Sequence, residues 1–322
     1  MTIGDRIKLE RQKAGLTLRE LAALAGVSAQ AVSKYERNLD VPGSKVLIRM
    51  AQALGVSVEF FLRQKSLSRI EPLSGKFWSI SIKDKNAILS RASDWLERYL
   101  EIEDILSGEV SVHGFEYPPG FPRAVESLKD AEKAATDLRS AWSLGSGPIN
   151  NLTDLIESKG IKVRSIDADM LFDACTFQAE DDPAVTAIIV RSDLPGDRQR
   201  LSMASELGYL MLRPKGLNEE KADQRFAIAF LVTEAAARLE LRGKRSHLSF
   251  YELHLLKHKY GLSMLAWIDR AGDLGIISQA RAKTLFKTFG SKGCHMQEPD
   301  DAIAPEVPCR FERLVMEPWQ TS

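Results

Sequence analysis

Thr17-Leu-Arg-Glu-Leu-Ala22, Gly26-Val-Ser28 and Val32-Ser-Lys-Tyr-Glu-Arg-Asn38 decide how the first part of this chain folds. Thr17 followed three residues later by Glu20 is a capping box, the signature of a helix start. Leu18, Leu21 and Ala22 give that helix a stripe to bury, and Ala22, Ala23 and Ala25 are small enough for a second helix to cross it closely. Gly26 supplies the left-handed backbone of a tight turn. Ser28 then caps a helix over Ala29 to Arg37, which must bury Ala31, Val32 and Tyr35 while its other side chains stay free. Outward from this pair, Ile3 to Ala14 reads as a helix with Ile7 facing inward and a stop at Gly15. Asn38 to Gly43 is a loop, and Val46 to Leu54 and Val58 to Leu62 complete a unit of short helices within residues 1–65.

This pattern resembles the Cro/CI-type (XRE) helix-turn-helix family over residues 3–62. The resemblance implies that the second helix of the pair enters a major groove with its N-terminal residues against base edges. The positions it assigns to DNA are Ser28, Ala29, Gln30, Ser33 and Lys34, with Arg37, Asn38, Ser44 and Lys45 beside phosphates. Gln30 is the side chain able to form a bidentate pair with adenine. In the family the residue after Thr17 is often a phosphate-binding glutamine, and here it is Leu18, so one backbone contact is expected to be missing.

Whole-chain charge carries no such information, since 44 Lys+Arg balance 44 Asp+Glu in 322 residues. Residues 1–65, however, carry 11 basic and 6 acidic side chains, an excess of 11 − 6 = +5 that favours phosphate on one end of a neutral protein. Cys175, Cys294 and Cys309 are too few and too scattered for a disulfide framework, which suits a reducing compartment. No apolar run is long enough to span a bilayer and the N-terminus has no signal-peptide core. The expectation is a soluble protein of a bacterial-type cytoplasm with no membrane partner.

Beyond residue 65, Asp84 to Ile105 reads as one long helix within a connector spanning 66–122, and Tyr117-Pro-Pro-Gly-Phe-Pro122 is the clearest break in the chain. Helices are expected over Ala124 to Leu144, Ile149 to Lys159, Asp197 to Leu212 and, as one unit, Glu219 to Leu241. Ile161 to Ile166 and Ala187 to Val190 are β-branched and short, as strands are. Residues 123–245 form a second domain and 246–322 an extension with three helical segments and an irregular last 30 residues. The fold class expected is mainly α (α+β).

A second stretch, Ala187-Ile-Ile-Val-Arg-Ser-Asp-Leu-Pro-Gly-Asp-Arg-Gln-Arg-Leu-Ser-Met-Ala-Ser-Glu-Leu-Gly-Tyr-Leu-Met-Leu212, resembles the ImmA/IrrE metallopeptidase-like family. There a helix bears His-Glu-Leu-Gly-His, two histidines one turn apart hold zinc, and the glutamate between them activates bound water. In this chain the histidine positions are Ser205 and Tyr209, Glu206 keeps the general-base position, and the third ligand maps to Glu220. Serine is a poor zinc ligand and a tyrosine phenolate an unusual one, so no metal, cofactor or catalytic residue is expected. Leu201, Ala204, Gly208 and Leu212 on one face and Met203, Leu207 and Met211 on another read as a helix buried nearly all round. His254 and His258 share a helix face, but Leu255 stands where a general base is needed. His113, His295 and Cys294 are isolated.

Two function classes follow. The favoured one is a regulator binding double-stranded operator DNA as a homodimer. Its degenerate peptidase-like part would sense a protein or small-molecule effector or hold two copies together. The other is an active metallo-endopeptidase cleaving a protein partner.

Overall fold

The computed structural model describes residues 2–62, 69–73, 77, 79–106, 114–180, 182–291 and 302–316. It is mainly helical with two small sheets. The N-terminal unit consists of α1 (Ile3–Lys13), α2 (Leu18–Ala25), α3 (Ala29–Glu36), α4 (Ser44–Leu54) and α5 (Val58–Leu62) around a core that includes Ile7, Leu21, Val32, Met50 and Phe61. The local signals act as expected. Thr17 and Glu20 form the reciprocal capping box, and Gly26 adopts φ 71° at the end of α2. Gly4 lets α1 meet α3 closely, since a Cβ there would lie 2.0 Å from the Tyr35 carbonyl oxygen.

The larger part begins with β1 (Ile70–Pro72), α6 (Ile82–Ile105), β2 (Arg123–Val125), α7 (Leu128–Ala141) and α8 (Leu152–Ser158). Then come β3 (Lys162–Ile166), β4 (Ala174–Ala179), β5 (Thr186–Arg191), α9 (Gly196–Met211) and β6 (Leu212–Pro214). The series ends with α10 (Glu219–Leu231), α11 (Glu234–Leu241), α12 (Phe250–Tyr260), α13 (Met264–Asp273), α14 (Gln279–Ser291) and α15 (Arg310–Met316). The main sheet has the order β1-β4-β5-β3, with β3 parallel to β5 and the other pairs antiparallel, while β2 and β6 pair in parallel.

Strand alternation splits the main sheet between two cores. Val163, Ala174, Ile188 and Val190 face the large helical core built on α7, α9, α10 and α13. Ile166, Cys175, Phe177, Ala187 and Ile189 face Ile88, Trp95, Leu96 and Tyr99 of α6. Within residues 66–122, β1 is an edge strand of this sheet and α6 packs on one of its faces. Residues 246–289 do not stand apart, because Leu253, Trp267, Ile268 and Leu285 belong to the same core as α9 and α10.

Three expectations are corrected. The helix expected over Glu219 to Leu241 is two, broken at Val232 (φ −133°, ψ 100°), after which the Thr233 hydroxyl accepts the Ala236 N–H and starts α11. The one expected over Ala124 to Leu144 gives its first residues to β2, and a Ser127–Asp130 capping box starts it later. The chain's last 30 residues include α15, so they are not wholly irregular.

Two buried ion pairs fasten α6 at separate points. Arg6 Nη1 of α1 lies 2.8 Å from Glu97 Oε2, with side chains 1% and 3% exposed, and the same nitrogen donates to the Phe60 carbonyl at 3.0 Å. Lys162 Nζ of β3 lies 3.1 Å from Glu103 Oε2. Lys13 also pairs with Asp94. Thus α6 is the strut between the N-terminal unit and the sheet.

The segment 302–316 is stitched across α8 and α9. Glu306 accepts the N–H groups of Leu152 and Thr153 at 3.0 and 2.7 Å, and Gly196 donates to the Ile303 carbonyl at 2.7 Å. Farther along, the Arg310 N–H donates to Glu157 Oε2 at 3.3 Å. Burial, with the Asp154 carboxylate, pushes the Glu157 carboxyl up to about 7, against the Arg310 guanidinium and the backbone N–H groups of Arg310 and Cys309. A carboxyl raised in the folded state favours the protonated form. Its stabilising effect is full below the ordinary 4.5 and is lost as pH rises through about 7. The penalty above that is on the order of 3 kcal/mol at 1.36 kcal/mol per unit. Unfolding midpoints measured across this window should fall with rising pH in the native chain, and Glu157→Gln should flatten that dependence.

Candidate nucleic-acid interface

The α3 helix turns Val32, Tyr35 and Glu36 inward and leaves Gln30, Lys34 and Arg37 exposed. Glu36 is held by Arg11, whose Nε and Nη2 reach its two carboxylate oxygens at 2.6 and 3.0 Å. That bidentate pair fixes the inner side of α3 against α1, so the outer side is presented in one orientation. Ala29 and Ser33 are half-buried between these faces. Gln30, Lys34 and Lys45 make no side-chain hydrogen bond or ion pair with any described residue, so their polar groups are available to a ligand.

The Ser28 hydroxyl accepts the Ala31 N–H at 3.1 Å. It is a helix cap first, and a direct DNA contact would have to share that oxygen. Ser28→Ala should cost about 1 kcal/mol, read as a lower denaturant midpoint of the N-terminal unit. Arg37 donates through Nε to the Ser33 carbonyl at 3.2 Å, which leaves the rest of its guanidinium pointing outward. Asn38 is placed otherwise than expected. It sits at φ 57°, its Oδ1 accepts the Gly4 N–H at 3.2 Å and its Nδ2 donates to Asp5 at 3.4 Å. Its side chain therefore ties α3 to α1. Gly43 caps α4 without a side chain, so the N–H groups at Ser44 and Lys45 have no side-chain partner from the cap. A helix start of that kind suits a phosphate oxygen.

The second site lies on α9 and α10. Gly208 allows these helices to touch, with a Cβ there 3.0 Å from Phe226 Cδ1 and 3.3 Å from the Asp223 carbonyl oxygen. Ser205, Glu206 and Glu220 line one pocket of about 250 Å³. Tyr209 does not join them; it lines a separate pocket of about 230 Å³ with Arg213, Glu219 and Asp223. The Glu206 side chain is buried, and its Oε2 accepts both the N–H and the hydroxyl of Thr176, at 2.7 and 2.9 Å. The Ser205 hydroxyl donates back to the Leu201 carbonyl at 2.9 Å. Burial, together with the carboxylates of Glu219, Asp223 and Glu206, holds the Tyr209 phenol above its ordinary value, so the phenolate that could ligate a cation is disfavoured.

His254 and His258 place their rings 4.6 Å apart, centroid to centroid. His247 Nδ1 is 2.9 Å from Arg281 Nη2 and so is engaged elsewhere. His113, Cys294 and His295 lie outside the described residues. What sequence reasoning missed is the Arg6–Glu97 pair joining the two parts; an arginine in a short amphipathic helix signals nothing until its distant partner is known. No helix among the described residues is long and apolar enough to cross a membrane.

Residues 7–61 match the Helix-turn-helix family. The chain is 35% identical to the HTH-type transcriptional regulator SinR of Bacillus licheniformis over 26% of this chain and 78% of that protein. It is 30% identical to the immunity repressor protein of Bacillus phage phi105 over 41% of this chain and 82% of that protein. A crystal structure of SinR, the master regulator for biofilm formation, in complex with DNA is 41% identical over 19% of this chain and 100% of that one, with a TM-score of 0.19. By its N-terminal domain, the chain belongs to the XRE-type helix-turn-helix family of DNA-binding transcriptional regulators.

Proposed function

We propose that this chain reads operator DNA with the outer face of α3, as a homodimer on two half-sites, and that its larger part serves sensing or oligomerisation. The observation that carries the reading is the exposure of Gln30, Lys34 and Arg37 on a capped helix whose opposite side is fixed by buried Val32, Tyr35 and Glu36. Two such helices are needed for two half-sites one DNA turn apart, hence the dimer. The names of the relatives, transcriptional regulators and an immunity repressor, support the same reading.

For the larger part, the support is chemical. Ser205 and Glu206 turn their oxygens to the protein's own backbone and to Thr176, Tyr209 faces another pocket, and Glu220 is left as the exposed carboxylate of the set. Such donors hold zinc poorly. The pocket they leave, bordered also by Arg198 and Gln224, suits a small polar effector.

A labelled promoter fragment should bind with a steep dependence on salt, and light scattering should give a dimer with and without DNA. A monomer in both states would remove the dimer. Stoichiometric zinc in purified protein, with cleavage of a partner abolished by Glu206→Gln, would instead establish the metallo-endopeptidase.

A further inference from the structure

A cleft of about 420 Å³ opens where α6, the end of β3 and α15 meet. Three arginines line it: Arg91 and Arg98 from α6 and Arg164 from β3. Arg91 is engaged, donating to the Asp167 carbonyl. Arg98 and Arg164 make no side-chain hydrogen bond or ion pair with any described residue. Of the two acids at the cleft, Asp94 is paired with Lys13, which leaves the exposed Asp167 carboxylate as its uncommitted negative group. Ser165 and the apolar Trp95, Ile166 and Phe311 make the remaining wall. Trp95 and Ile166 are each 8% exposed, and the Phe311 ring lies 6.5 Å from that of Trp95 at 55°. The indole Nε1 of Trp95 is buried with no acceptor among the described residues.

The geometry points to a binding site for a mononucleotide, with its phosphate between Arg98 and Arg164 and its base against the Trp95–Phe311 wall. A terminal phosphate dianion carries more charge than a carboxylate and has three oxygens, so it suits guanidinium forks arriving from two elements. The planar base finds aromatic surface at Phe311 and the exposed part of Trp95. The volume lies within the range of small-ligand sites. This cleft is distinct from the pocket at Ser205 and Glu220, so it stands whether or not that pocket takes an effector. It also lies on the helix that carries Asp94 and Glu97, which pair with Lys13 and Arg6 of α1.

Calorimetric titration of the full chain in phosphate-free buffer tests it, with AMP, GMP, adenosine and inorganic phosphate as probes. We expect at least one nucleotide to bind about tenfold or more tightly than adenosine or inorganic phosphate. Arg98→Gln and Arg164→Gln should each weaken it by about tenfold at an unchanged thermal midpoint, because each removes one charged fork from a phosphate. Phe311→Ala, which removes part of the aromatic wall, should weaken the nucleotide while leaving inorganic phosphate unaffected. No heat with either nucleotide, or binding that both arginine variants retain, overturns the proposal. Inorganic phosphate binding as tightly as the nucleotides overturns it as well, because the aromatic wall then recognises nothing. If the arginine variants lower operator affinity while no nucleotide binds, the cleft is part of the DNA track and the proposal also fails.

Discussion

Replacing Glu97 by alanine is expected to destabilise the protein by about 3–5 kcal/mol, the largest effect of any single substitution proposed for this chain. The cause is desolvation. The Arg6 side chain is 1% exposed and its guanidinium faces Glu97 at 2.8 Å. Without the carboxylate a full charge stays buried beside the Phe60 carbonyl at 3.0 Å. The two partners sit on α1 and α6, so the loss falls on the joint between the DNA-binding unit and the remainder. Chemical denaturation followed by far-UV circular dichroism should show a markedly lower midpoint for Glu97→Ala. The paired change Arg6→Met with Glu97→Leu removes both charges and should recover most of the loss. A Glu97→Ala variant as stable as the native chain would show that the joint does not depend on this pair.

The second large effect is on DNA. Lys34→Ala combined with Arg37→Ala is expected to lower operator affinity by about ten- to a hundredfold and to make the plot of log affinity against log salt shallower by about 1.8, from two lost phosphate neutralisations. Both side chains are exposed on the outer side of α3, so folding should be untouched. Gln30→Ala should act differently. A lost bidentate contact to adenine costs about 1–3 kcal/mol at one base position and leaves the salt slope unchanged. Fluorescence anisotropy at several salt concentrations separates the two. Equal losses on operator and unrelated DNA for Gln30→Ala would assign that residue to the backbone and leave base reading to other residues.

Much of the N-terminal unit was legible in the residues themselves. Thr17 with Glu20, Gly26 and Ser28 act within one turn of their own positions, so capping and turn chemistry declare the helix boundaries before any tertiary contact exists. The buried stripe of α9 was legible for the same reason, as a helical period in sixteen consecutive residues. The short strands were not. β1, β2 and β6 have three residues each, too few for alternation to register, and they exist because a partner strand supplies their hydrogen bonds. β4 has six residues, but Ala174-Cys-Thr-Phe-Gln-Ala179 is buried at nearly every position on both faces, which sets it apart from a half-exposed strand.

By itself, the sequence determined that this protein carries a capped, amphipathic helix pair at its N-terminus and, later, a helix buried nearly all round. Both are properties of residues within a few positions of one another. Tertiary structure alone decided that Asn38 ties α3 to α1, that Tyr209 lines a different pocket from Ser205 and Glu206, and that Arg6 is locked to Glu97. Each of these turns on which distant atom lies within about 3–4 Å. Such proximity is set by how whole helices cross, and no local pattern records it.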